Sequence, residues 1–95
     1  MEEKMLKIIK HYGIMDQLKQ FNEETYELIE AIRDYQELRY TEDGKAFLYH
    51  VQEELADVFV LINQFMRYYD IDFKDVEEIV EFKVDRQLER IEKGE

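Results

Sequence analysis

Ninety-five residues suit one domain rather than two, and the chain carries a formal net charge of -11 with neither cysteine nor proline. Such a surface repels nucleic-acid polymers and anionic membranes, and the missing thiols exclude disulfides and thiolate metal sites. No apolar run approaches the roughly 18 residues of a membrane span, and the charged N-terminus is unlike a secretory signal, so a soluble, cytoplasmic protein is expected.

The chain reads as helix nearly throughout, because Glu, Lys, Leu and Ile abound and the only helix-breaking residues are three glycines. A short first helix over 2–11 ends at Gly13. A second helix is expected over 14–39, with Leu18, Phe21, Thr25, Leu28, Ile32 and Tyr35 recurring at spacings of three and four. Tyr40 to Gly44 is the clearest loop, with turn chemistry in its Asp-Gly pair. The third helix, over 45–69, carries a stripe of Val51, Leu55, Val58, Ile62, Phe65 and Tyr69. After a break at Tyr69 to Asp72, where Asp72 can act as an N-cap, a fourth helix runs over 72–92 with Phe73, Val76, Val80, Val84 and Ile91 on one side.

Each helix is thus amphipathic, and a short connection makes the second and third an antiparallel hairpin. The expected fold is all-α, four main helices in a single domain spanning 1–95. Its thin core cannot absorb 45% apolar residues, among them seven Tyr and six Phe, so a homodimer or homotetramer is expected to complete it.

Two stretches repeat one pattern: Asn22-Glu23-Glu24-Thr25-Tyr26-Glu27-Leu28 and Gln52-Glu53-Glu54-Leu55-Ala56-Asp57-Val58. In each, an amide and two Glu are followed after two residues by another acid and an aliphatic side chain. At about 100° per residue, Glu24 and Glu27 share one helix face, as do Glu54 and Asp57. Both pairs sit beside an apolar stripe, so antiparallel packing brings them together at the margin of the seam. Four converging carboxylates repel, and partial burial adds to the cost. A hard divalent cation such as Mg²⁺ relieves both, and two ions about 3.5–4 Å apart can activate water and stabilise a leaving oxygen. The bland alternative is a solvated acidic face, since 24 of 95 residues are acidic; repetition at the same offset on two neighbouring helices weighs against it.

The string Glu23-Glu24-Thr25-Tyr26-Glu27, followed downstream by Glu54-Leu55-Ala56-Asp57, resembles the signature of the MazG-like all-α nucleotide pyrophosphohydrolases, Glu-Glu-x-x-Glu then Glu-x-x-Asp. The resemblance runs from about residue 14 to the C-terminus, including Phe82 to Ile91. It implies a Mg²⁺-dependent enzyme, with Mn²⁺ as a possible substitute, that hydrolyses nucleoside triphosphates (NTP or dNTP) to monophosphate and pyrophosphate. It further implies Glu24, Glu27, Glu54 and Asp57 as metal ligands, and Glu23 as an acid that stands behind the ligands or orients water; the general base is not assigned. Lys83, Arg86 and Arg90 share one face of the last helix and are candidate phosphate donors in a protein otherwise hostile to anions; salt bridging to the acidic excess is the simpler reading of them.

Two further readings stay open: a phosphoribosyl-ATP pyrophosphohydrolase-like enzyme, and a non-catalytic acidic helical oligomer. A di-iron bundle is excluded, because it needs Glu-x-x-His pairs, and Ile8 and Phe47 stand three residues before His11 and His50. Both histidines are therefore expected as surface or loop residues, with His11 or Tyr12 able to approach a base. The chain has no tryptophan to contact a base, so base and sugar specificity are not assigned.

Overall fold

A computed structural model describes residues 1–94; Glu95 lies outside the described residues. Four helices and no strand are found among them: α1 (Glu2–Tyr12), α2 (Ile14–Leu38), α3 (Gly44–Tyr68) and α4 (Phe73–Glu92). The breaks follow from local chemistry. Gly13 adopts φ +90°, where a side chain would be strained, and turns the chain between α1 and α2. Asp72 caps α4 by accepting a 2.9 Å bond from the Lys74 backbone N–H.

One expected boundary shifts. Gly44, read from sequence as part of the loop, is the first residue of α3 and is buried. A Cβ at this position would lie 2.4 Å from the Arg39 carbonyl oxygen, so the tight return from α2 requires glycine through close backbone approach.

α2 and α3 pack most extensively and form the expected antiparallel hairpin, with α1 laid chiefly against α3. The seam differs from the stripes read in the sequence. On α2 its inward positions are Gln17, Phe21, Glu24, Leu28, Ala31, Tyr35 and Leu38; on α3 they are Gly44, Phe47, Val51, Glu54, Val58, Leu61 and Phe65. Both sets alternate steps of three and four, the repeat of helices packed side by side. Leu18, Ile32, Leu55 and Ile62, expected inside, are exposed instead. The two helices are apolar on more than one face, and the face they use within one chain includes polar residues.

The core is correspondingly small: Ile9, Ala31, Val51, Leu61 and Met66 are its buried hydrophobic residues. α4 does not join it. None of its residues is fully buried: of the stripe read as buried, Val76 is half-buried and Phe73, Val80, Val84 and Ile91 are exposed. The radius of gyration is 16.8 Å, against about 12 Å for a compact chain of this length. The physical reason is that α4 extends away from the three-helix body, leaving its apolar side with no partner in the chain.

Candidate metal centre

The antiparallel register places Gln17 opposite Gln64, Glu24 opposite Asp57 and Glu27 opposite Glu54. The first pair fixes it: Gln17 Nε2 donates to Gln64 Oε1 at 2.6 Å in a buried bond across the seam. Phe21 and Phe65 meet edge to face beside it, ring centroids 5.5 Å apart.

One turn further along α2, the carboxylates converge. Oxygens of Glu24, Glu27 and Glu54 lie within 4.8 Å of one another. Glu54 is 7% exposed and Glu24 half-buried, so these two stand in the seam itself rather than at its margin. Glu27 and Asp57 flank them at the exposed edge. Asp57 joins through Glu24, which faces it across a cleft of about 190 Å³ that Gln17, Gln20 and Gln64 also line.

The carboxylates at this point of the seam are poorly satisfied within the chain. Gln20 Nε2 donates to Glu24 Oε1 at 2.7 Å, but Glu24 Oε2 and Glu54 Oε2 are buried with no hydrogen-bond partner. Orphaned buried acceptors are costly and uncommon in a native fold. Burial, the neighbouring Glu24 carboxyl, and the charges of Glu27, Glu24 and Asp57 push the Glu54 carboxyl up to about 7. Burial and the nearby Glu24 raise the Asp57 carboxyl as well. All the donors are hard oxygens, several are charged, and two lack any partner. This set could hold a metal cation.

The other expected residues fall as follows. Glu23 is exposed and lines a second, wider cleft of about 520 Å³ with Tyr12, Asp16 and Lys19; Gln17 and Gln20 are common to both clefts. Lys83, Arg86 and Arg90 lie on the outstanding α4, and none of them lines either cleft. Arg86 instead rests near the Phe82 ring, 5.9 Å from its centroid. His11 is exposed in the last turn of α1. His50 is on the surface of α3, as expected, but its Nε2 is 3.8 Å from Glu54 Oε1.

Sequence reasoning missed Gln17, Gln20 and Gln64 around the acids, Lys19 as the cation beside them, and the closeness of His50 to Glu54. The four-residue spacing of Gln20 from Glu24, and of His50 from Glu54, is the signal that could have found two of these contacts.

The model of the MazG nucleotide pyrophosphohydrolase domain matches residues 15–90. The chain belongs to the MazG family. Neither curated proteins nor solved structures gave a match. The matched span of this MazG domain takes in both acidic stretches and nearly all of α4, leaving α1 outside. No helix among the described residues of this MazG chain is long and apolar enough to cross a membrane.

Proposed function

We propose that this chain hydrolyses nucleoside triphosphates, ribo- or deoxyribo-, between the α- and β-phosphates, releasing monophosphate and pyrophosphate with Mg²⁺ as cofactor and Mn²⁺ as a possible substitute. The observation that carries the reading is the pair of buried, partnerless oxygens on Glu24 and Glu54 at the centre of the converging acids. A solvated acidic face, the basis of the non-catalytic alternative, has no reason to bury them.

In this reading Glu24, Glu27, Glu54 and Asp57 hold the cation. When bound, it neutralises phosphate charge and makes water a better nucleophile near neutral pH. Glu23, exposed beside the cleft, orients that water and accepts its proton. Gln17 and Gln64 hold the two acid-bearing helices in register, and Lys19 offers a charge to the phosphates at the mouth of the wider cleft. Tyr12, on the same cleft, presents a ring to a base.

Lys83, Arg86 and Arg90 bind phosphate only if α4 covers a cleft, so their role goes together with self-association. A second copy would cover the exposed apolar side of α4 and the outer faces of α2 and α3 carrying Leu18, Ile32, Leu55 and Ile62.

The test is a panel of nucleotides, phosphoribosyl-ATP included, incubated with protein and Mg²⁺ and resolved by chromatography. Monophosphate with pyrophosphate supports the reading; diphosphate with orthophosphate, or no turnover of any nucleotide, contradicts it.

A further inference from the structure

The acids form a short array along the seam whose two ends differ. Glu24 and Asp57 stand at one end, among the amides of Gln17, Gln20 and Gln64. At the other end stand Glu27 and Glu54, with an imidazole beside Glu54. His50 lies one helical turn before Glu54 on α3, with Nε2 3.8 Å from Glu54 Oε1. Two ligands that each sit about 2.1 Å from one ion lie no more than about 4.2 Å apart, so the pair is already within reach of a shared cation. The ring's other nitrogen, Nδ1, is 3.9 Å from Glu53 Oε1. A ligating histidine commonly gives its second N–H to a carboxylate, which fixes the tautomer and turns the free nitrogen to the metal.

We propose that His50 contributes a nitrogen ligand to the Glu27–Glu54 end of the array, with Glu53 orienting it, so that this end takes a first-row transition dication in preference to Mg²⁺. The inference rests on the reading of the acids as a metal centre and adds a ligand to it. Mg²⁺ seeks oxygen ligands and gives up water reluctantly, whereas imidazole strengthens binding of Fe²⁺, Co²⁺, Ni²⁺ and Zn²⁺. Glu54 Oε2, buried without a partner, leaves this carboxylate in want of a ligand. His50 is half-exposed, so packing does not lock its ring in the present rotamer.

The experiment titrates the whole chain with Co²⁺ alone and Mg²⁺ alone by calorimetry, and reads the Co²⁺ absorption bands, which respond to a nitrogen ligand. Wild type is compared with His50→Ala and with His11→Ala, a control for binding by an exposed histidine; circular dichroism checks that each variant stays helical. The expected result is that His50→Ala weakens Co²⁺ at least about tenfold, alters its bands and leaves Mg²⁺ within twofold, while His11→Ala changes neither. Equal weakening of both ions would overturn the inference, because His50 would then act only by placing Glu54. No change in either ion would also overturn it, with the acids still standing as a metal centre. A wild type that binds neither ion would bring down both the inference and the proposed function.

Discussion

Gln17 and Gln64 share a buried 2.6 Å hydrogen bond across the α2–α3 seam, two turns away from the point where Glu24 faces Asp57. An amide pair in this position does more for register than for net stability. Sliding either helix would leave a buried amide unpaired, whereas apolar neighbours tolerate several registers. Gln17→Ala should therefore cost about 1–3 kcal/mol, the penalty of stranding Gln64. At a fixed protein concentration this is a fall in melting temperature of about 4–8 °C per kcal/mol. The double change Gln17→Leu with Gln64→Leu should restore most of that stability, and should weaken metal binding if register matters to the acids. Thermal melts and calorimetry on the three proteins check both points.

The Glu54 carboxyl sets the pH behaviour. It is pushed from 4.5 to about 7 in the folded chain, so the folded state holds a proton that the unfolded state has released. Without metal, stability should fall as pH rises from about 4.5 to about 7 and then level off. Glu54→Gln should flatten that slope and melt at or above the wild-type temperature at pH 8. A bound cation must displace the proton, so affinity should run the other way, weakening about tenfold per pH unit below 7. Melts from pH 5 to 8, with and without Mg²⁺, measure both slopes.

Self-association should depend on the outer faces of the helices. Val80 and Val84 are exposed on α4, which has no fully buried residue within the chain. Val80→Asp with Val84→Asp should leave helicity unchanged and shift the mass in light scattering toward the monomer. A wild type that scatters as a monomer at micromolar concentration would contradict this part of the account.

Lys83→Ala and Arg86→Ala should affect substrate and not metal. Hydrogen bonds to charged groups contribute about 1.5–3 kcal/mol, so each change should lower kcat/KM by about 10- to 100-fold with Mg²⁺ affinity retained. Steady-state kinetics beside metal titration separates the two effects.

Much of the fold was legible because its signals are local. Gly13, the Asp43-Gly44 pair and Asp72 mark the helix ends to within a residue or two, since each break depends on the chemistry of a few adjacent residues. The choice of packing face was less legible. Leu18, Ile32, Leu55 and Ile62 look like core by hydrophobicity, yet the seam passes through Gln17, Glu24, Glu54 and Leu61 instead. Periodicity reports how many faces are apolar, not which partner each one meets. For the same reason the sequence could not tell that α4 would stand away from the body. At the site, the repeated acid spacing pointed to the acids that meet across the seam: Glu24, Glu27 and Glu54 cluster, and Asp57 shares a cleft with Glu24. It did not anticipate the burial of Glu54 or the approach of His50, which depend on that shifted seam.

The central claim is that acids from α2 and α3 form one cation site that drives phosphate chemistry, and pyrophosphate release tests it most directly. At saturating Mg²⁺ and triphosphate, Glu24→Gln, Glu27→Gln, Glu54→Gln and Asp57→Asn should each abolish release, because the amide keeps the shape and loses the charge a hard cation requires. All four should keep the helical circular dichroism spectrum of the wild type. Normal Mg²⁺-dependent release by all four folded variants would contradict the account and remove these acids from the chemistry.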